Sequence, residues 1–561
     1  MFDFLSIFNS ARRNCHIKPV VLLSLDGWGI APDSAGNAIS RAKLPNLRYY
    51  FANFPTTTLI ASGESVGLPA NEVGNSEVGH LTMGAGRIIY QSLKRIDNSV
   101  ADGAFFENPA FLQAIAHVNK YHSRLHIMGL VGLSNVHSSL DHFNALLGLC
   151  QRHSITSVGF HLFTDGRDSP PHEAVSLVQR VDKEIQNSGV GRIASISGRY
   201  YAMDRDGLWD RTQKAYELLV SGYGQVAKTA QQAISTAYTK GVSDEFIEPT
   251  LLVPEAKDPI LVSDNDAVIF FNFRADRAKQ LTMALTMENF EKSQVGEFMF
   301  NTTYKNSLTE TQYKQPFTRS KKLVNLFFVT MTEYQKKLPV SAIAFPLTQL
   351  NETLSEVVAG SNLKQLHLAE SEKETMVGYY FDGLRETPFP GENRIIIPSK
   401  GVRIYDKKPE MSISSIVSVF TKNLHKCLYH FFLINFANPD MVAHTGNIEA
   451  TIKALEHTDN ALGTVVDEIL RLDGTVFITA DHGNAEQLLT YSSQSFFFTT
   501  DTGAINTYHS NHPVPFIAIN NALLHSRKQL SSGSLSDVAP TVLRAMNLPV
   551  PSVMTGRNLL E

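Results

Sequence analysis

Three apolar runs along the chain stop abruptly at an acidic residue: VVLLSL before Asp26, FFLINFANP before Asp440 and VFITA before Asp481. Runs that are apolar throughout, rather than alternating, mark strands covered on both faces. A helical period, IEATIKALEHTDNALGTVVDEILRL, separates the second run from the third. The pattern predicts an α/β fold around a largely parallel sheet. Ligands of such sheets gather beyond the carboxyl ends of the strands. All three aspartates fall there, so the predicted site draws on both ends of the chain.

Between about residue 90 and residue 330 the chain carries strand and helix signals of its own, including HLFTDGRD at 161–168 and AVIFFNFRADR at 267–277. Residues 1–90 with 331–561 are therefore expected to form one discontinuous domain, with 91–330 inserted as a second α/β domain. The return to the first sheet is expected near LVNLFFVTMTEY at 323–334, with the two linkers acting as a hinge beside a cleft. The SSQSFFFTT run at 492–500 reads as a strand or flap packing its own aromatics. The opening MFDFLSIFNSARRN fails as an export signal, because Asp3 interrupts the apolar run and the arginines follow it. It reads as a short amphipathic turn. No segment offers the ~18 consecutive apolar residues of a membrane helix.

Composition narrows the classes further. A chain of 561 residues has room for two to four domains. With 43% hydrophobic and 19% charged residues it can bury real cores, and nothing in a net charge of −4 suggests a wrap-around nucleic-acid binder. Any strong positive field must be local. Cys15, Cys150 and Cys427 are widely spaced and odd in number, which suggests free thiols in a reducing compartment, the cytoplasm.

Asp440 and His444 in NPDMVAHTGN share one face if the segment turns helically, and adjacent Asp481 and His482 in TADHGN can reach different ions. His509 in NTYHSN and Asp26 in SLDGWG complete three carboxylates and three imidazoles. Two carboxylates about 4 Å apart repel by roughly 4 kcal/mol at an effective dielectric near 20, so a converging set calls for cations. Two divalent ions meet that need, and oxygen with imidazole ligands suits manganese, magnesium or zinc. Ser76, between glycines in GNSEVGHLTMGAGR, is the candidate nucleophile, since metal coordination would lower its pKa. Taken alone it reads as a helix N-cap.

Arg167 in TDGRDSPP, Arg199 and Arg205 in SGRYYAMDRD, and Arg274 and Arg277 in FNFRADR point to a small, highly anionic ligand carrying phosphate and carboxylate. The alternative is surface pairing with Asp168, Asp206 or Asp276. His137 and Asp168 are the titratable neighbours that could move a proton.

With these residues in hand, the chain resembles the cofactor-independent (2,3-bisphosphoglycerate-independent) phosphoglycerate mutases of the alkaline phosphatase superfamily. LLSLDGWGI, GNSEVGHLTMGAGR, FTDGRD, SGRYYAMDRD, FNFRADR, AESEK, NFANPDMVAHTGN and TADHGNAE occur in the family's order and nearly span the chain. The resemblance implies an alkaline-phosphatase-like three-layer sandwich with a transferase-like α/β domain inserted, and two Mn2+ ions. One ion would be held by Asp440, His444 and His509, the other by Asp26, Ser76, Asp481 and His482. It implies substrate contacts from His137, Arg167, Asp168, Arg199, Arg205, Arg274, Arg277 and Lys373, with Lys373 neutralising the phosphoryl group. The implied reaction interconverts 3- and 2-phosphoglycerate, in glycolysis and gluconeogenesis, through a phosphoserine on Ser76. Asp168 would serve as base, and no 2,3-bisphosphoglycerate is needed. The enzyme is expected to be a monomer that uses a small-molecule substrate and engages neither nucleic acid nor membrane.

Departures from the family pattern are Met376 and Leu384 in ETMVGYYFDGLRE, which put local strand packing in question, and Leu208 in place of an arginine. Others are an N-terminal extension and added residues around 297–322 and 488–506. Rival readings are a phosphohydrolase or phosphopentomutase of the same superfamily, which would lack the arginine set, and a non-enzymatic metal-stabilised anion binder, which would have lost Ser76 or a ligand.

Overall fold

The structure is a computed structural model that describes residues 17–292, 315–402, 404–490, 503–526 and 528–561. The proposed N-terminal turn, the 492–500 aromatic run and most of both insertions lie outside the described residues. The chain divides into two compact units, Met1–Gln91 with Thr348–Glu561, and Ser92–Leu347.

The first unit is built on an eight-stranded sheet in the order Glu392–Ile397, Gln365–Glu370, Phe431–Phe436, Val20–Leu25, Thr475–Thr479, Val514–Ile519, Thr56–Ile60, Gly533–Ser534. Its middle is parallel: Val20–Leu25 pairs with Phe431–Phe436 on one side and Thr475–Thr479 on the other. Every residue of Val20–Leu25 and Phe431–Phe436 is buried, as strands covered on both faces must be. Two helix groups provide that cover. Pro45–Asn53, Ile413–Leu424 and Ile448–Leu470 pack with one another, and so do Ser76–Ala85, Leu354–Gly360 and Val538–Ala545. The fold is the alkaline-phosphatase-like sandwich that the motifs imply. Leu489–Thr490 pairs antiparallel with Ala504–Ile505, which joins the two ends of the insertion that precedes His509.

The second unit has its own eight-stranded sheet, ordered Ala342–Ile343, Phe327–Thr330, Ala267–Phe270, Leu125–Val131, Val158–Thr164, Arg192–Gly198, Thr250–Leu252, Gln225–Ala227. Thr250–Leu252 is antiparallel to Arg192–Gly198, and the remaining pairs are parallel. This corrects the expected boundary. LVNLFFVTMTEY does not return to the first sheet: its strand Phe327–Thr330 pairs with Ala267–Phe270, and Ala342–Ile343 adds beyond it. Residues 331–347 therefore belong to the second unit, because an apolar strand joins whichever neighbouring edge its connection can reach.

Two smaller expectations are also revised. Cys150 is a free buried thiol but Cys427 is disulfide-bonded, so the free-thiol pattern does not extend to all three cysteines. Met376–Tyr380 is a π-helical turn rather than a strand, and it packs on the helix Ser76–Ala85. Among the described residues no helix is long and apolar enough to cross a membrane.

Candidate metal centre and anion cluster

Parallel pairing brings the strand ends together. Leu25 lies opposite Phe436 and Ser24 opposite Thr479, so Asp26, the turn bearing Asp440, and Asp481 emerge at one edge of the sheet. The chain turns there through Gly27, at φ +70°, where a Cβ would come within 2.8 Å of Asp440 Cβ. Asp440 sits in the short helix Asn438–Ala443, with His444 as its C-terminal cap. Ser76 opens the helix Ser76–Ala85, but it does not cap it: the side chain of Asn75 accepts from Val78 N. That leaves the seryl hydroxyl available. Lys373 ends a 3-10 turn, Ser371–Lys373, directly after the strand Gln365–Glu370.

These side chains converge. Lys373 Nζ donates to Asp26 Oδ1 at 2.6 Å, to Ser76 Oγ at 2.8 Å and to Asp440 Oδ2 at 2.8 Å. Ser76 Oγ lies 2.9 Å from His482 Nε2 and 3.5 Å from Asp26 Oδ1. With Lys373 donating to Oγ, the hydroxyl proton faces His482 Nε2 and Asp26 Oδ1. This is not a Ser-His-Asp relay, because Asp481 Oδ2 lies 3.4 Å from the same ring nitrogen, Nε2, instead of behind the ring. Asp440 Oδ1 lies 3.3 Å from His444 Nε2 and 3.5 Å from His509 Nε2, and accepts from Asn484 Nδ2 at 2.8 Å.

The donor set fits divalent cations. His444 Nδ1 donates to Thr507 O and His509 Nδ1 to Gly74 O, each at 2.8 Å. Those bonds turn both Nε2 atoms inward, 3.2 Å apart and against the Asp440 carboxylate. Two facing lone pairs need a cation or a proton between them. Asp481 Oδ2 is buried with no hydrogen-bond partner. Asp440, His482 and His509 form one cluster able to hold an ion, and Asp26, Asp481 and His482 form another.

Electrostatics tell the same story. Burial, with Asp481 and Asp440 nearby, pushes the Asp26 carboxyl up to about 7. Although burial opposes its charge, Lys373 is held protonated by Asp26, Asp440 and Asp481. Burial, His509 and Lys373 lower His482 to about 4, so its imidazole is neutral and able to ligate. The third acidic cluster, His367, Asp382 and Glu392, is different. Arg394 already bonds Asp382 and Glu392 at 2.6 Å each, and His367 Nδ1 donates to Val377 O.

In the second unit Arg199 donates to Asp165 and Asp168 at 2.5 Å each and lies 3.0 Å from His137 Nε2. Arg205 and Arg274 meet on Asp276, at 2.7 and 3.1 Å. Arg167 lies 3.6 Å from Glu245. Arg277 makes no ion pair among the described residues, and burial together with Arg205, Arg199 and Arg167 disfavours its charge. The Asp168 and Asp276 pairings exist, then, yet they leave cationic charge unmatched, as an anion site requires. Burial and then Arg199 lower His137 to about 4, and its Nδ1 is buried without a hydrogen-bond partner.

The expected residues thus form two groups. Asp26, Ser76, Lys373, Asp440, His444, Asp481, His482 and His509 meet in the first unit; His137, Arg167, Asp168, Arg199, Arg205, Arg274 and Arg277 neighbour one another in the second. Sequence reasoning missed His80, Asn435, Asn484, Glu486 and Asp165. A signal existed for Asn435, a polar residue inside the apolar run FFLINF, and for His80, one helical turn after Ser76.

Comparison with known proteins decides the family. A family model described as the BPG-independent PGAM N-terminus matches residues 96–336, the region bearing the arginines, and a model described as Sulfatase matches 292–548. The 2,3-bisphosphoglycerate-independent phosphoglycerate mutase of Chloroflexus aggregans is 44% identical over 97% of this chain and 98% of its own. The chain belongs to the 2,3-bisphosphoglycerate-independent phosphoglycerate mutase family. The mutase of the same name from Moorella thermoacetica is 42% identical over 97% of this chain and 98% of its own. A solved structure of Leishmania mexicana phosphoglycerate mutase at low cobalt concentration is similar across 97% of this chain and 98% of that one, at 26% identity and a TM-score of 0.61. Full-length similarity to these mutases extends over both the cation-binding candidates and the arginine cluster.

Proposed function

We propose that this chain interconverts 3-phosphoglycerate and 2-phosphoglycerate as a 2,3-bisphosphoglycerate-independent isomerase, with a phosphoserine on Ser76 as intermediate. The observation that carries the proposal is the environment of Ser76 Oγ, 2.8 Å from Lys373 Nζ and 2.9 Å from His482 Nε2, within a shell of acids and imidazoles that suits cations. Asp440, His444 and His509 would hold one divalent ion, and Asp26, Ser76, Asp481 and His482 the other, manganese by analogy with the family. When bound, such ions lower the pKa of a coordinated hydroxyl and neutralise phosphoryl oxygens.

In the first transfer Ser76 Oγ forms a bond to phosphorus as the bond from phosphorus to the C3 oxygen breaks. The proton that leaves Oγ is passed to the departing C3 oxygen, giving glycerate with no net gain or loss of protons. Lys373 donates toward the moving phosphoryl group, and Arg199, Arg205, Arg274 and Arg277 hold the carboxylate and phosphate charges. Glycerate then reorients. Asp168, kept ionised by Arg199 although burial opposes it, takes the proton of the C2 hydroxyl. That oxygen forms its bond to phosphorus as the bond from phosphorus to Ser76 Oγ breaks, and the proton that Asp168 took returns to Oγ, restoring both residues. Water must be excluded while the phosphoserine persists, or hydrolysis would replace isomerisation.

Ser76→Ala should lower turnover by roughly 10^4-fold or more with the fold retained. Mass spectrometry of wild-type protein quenched with substrate should find phosphate on the Ser76 peptide. Substantial turnover by Ser76→Ala would exclude the phosphoserine route.

A further inference from the structure

Behind the candidate ligands lies a buried chain of hydrogen bonds to which the proposed reaction gives no part. His80 and Asn435 are both fully inaccessible. Asn435 Nδ2 lies 2.6 Å from Asp26 Oδ2 and 3.2 Å from His80 Nε2. His80 Nδ1 lies 2.9 Å from Ser76 O and 3.3 Å from Asp481 Oδ2. The amide orientation follows from its neighbours, since the reverse would turn Oδ1 against the Asp26 carboxylate. The two hydrogens of Asn435 Nδ2 therefore go to Asp26 and to the lone pair of His80 Nε2. That leaves the imidazole hydrogen on Nδ1, facing Ser76 O and Asp481. Hydrogen bonds thus join the turn after Val20–Leu25 to the helix Ser76–Ala85, and the same Nδ1–H of His80 faces Asp481, on the turn after Thr475–Thr479, as an electrostatic contact and not a hydrogen bond.

Asp26 and Asp481 repel one another, and Asp26 Oδ1 and Asp481 Oδ2 both face His482 Nε2, at 3.7 and 3.4 Å. A cation there gains most if both carboxylates are already held at ligating distance, which is what outer hydrogen bonds provide at metal sites. We propose that His80, acting through Asn435, is a positioning residue that sets the spacing of Asp26 and Asp481, and with it the cation affinity of the group they form with His482. The proposal rests on the metal assignment made above. The group formed by Asp440, His444 and His509 takes its own orienting bonds from Asn484, Thr507 and Gly74, and is linked to Asp26 through Lys373 rather than through His80 or Asn435.

The test is Mn2+ titration of the full chain, with free ion read by electron paramagnetic resonance. Wild type should take up two ions. His80→Phe and Asn435→Leu should each weaken one ion by about 10- to 100-fold and leave the other unchanged. The double variant should lose no more than the worse single, because either change breaks the same path. Asn435→Ser, too short to span both partners, should behave alike and guards against a packing defect; circular dichroism in chelator checks folding. Equal weakening of both ions, or wild-type affinity at both, overturns the proposal. Asp481→Asn separates the two levels. If it weakens neither ion, or wild type takes up none, the metal assignment falls and this proposal with it; if it weakens one ion and the path variants do not, only this proposal falls.

Discussion

At the scale of single residues, the site works by setting protonation states. His137 is the plainest case outside the cation groups. Burial and then Arg199 lower it to about 4, against about 6.5 in an unfolded chain. Above pH 6.5 the imidazole is neutral in both states and folding carries no penalty. As pH falls from 6.5 toward 4 the unfolded chain binds a proton that the folded site refuses, so stability is lost across that window. His137→Gln cannot titrate. Urea midpoints measured from pH 7 to pH 4.5 should fall less steeply for His137→Gln than for wild type, and parallel curves would contradict the assignment.

At the scale of elements, Glu486 stitches together the loops that carry ligands. Its carboxylate accepts from Gly29 N at 3.0 Å, Asn484 N at 2.9 Å and the Ser510 hydroxyl, and it pairs with His512 at 3.3 Å. The turn after the first strand, the turn after Asp481 and the segment that follows His509 are thus held by one buried side chain. This explains how His509 reaches the site despite the added residues before it: its downstream side is anchored to Glu486 and its ring to Gly74 O. Glu486→Ala would orphan two buried backbone donors at about 1–3 kcal/mol each. The expected outcome is a loss of about 2–6 kcal/mol in urea unfolding together with weaker cation binding by the His509 group. A loss below 1 kcal/mol would show that the loops hold without it.

At the scale of the whole molecule, the two units divide the proposed chemistry: one carries the candidate nucleophile and cation ligands, the other the arginine cluster. Chelation should therefore abolish turnover, and Mn2+ should restore it without added 2,3-bisphosphoglycerate. A dependence on that primer would point to a different mechanism. Arg274→Ala, in the other unit, should reduce kcat/KM by far more than the ~0–1 kcal/mol worth of its exposed pairing with Asp276, because an unpaired substrate charge would remain. An unchanged kcat/KM would remove Arg274 from the proposed site.

The sequence by itself determined the strands of the sheet's parallel middle and the edge where three aspartates meet, because short apolar runs cut off by an acid fit strands covered on both faces, and the acid ending each run then lies at its tip. It also held the motifs that carry the family resemblance. Only the tertiary structure decided which sheet the strand Phe327–Thr330 joins, since local pattern sets a strand's existence and not its partner. It likewise decided that Asn75 rather than Ser76 caps the helix, and that His80, Asn435 and Glu486 stand behind the ligands. Those roles depend on contacts between residues hundreds of positions apart, and on hydrogen-bond directions that exist only once the chain has closed around them.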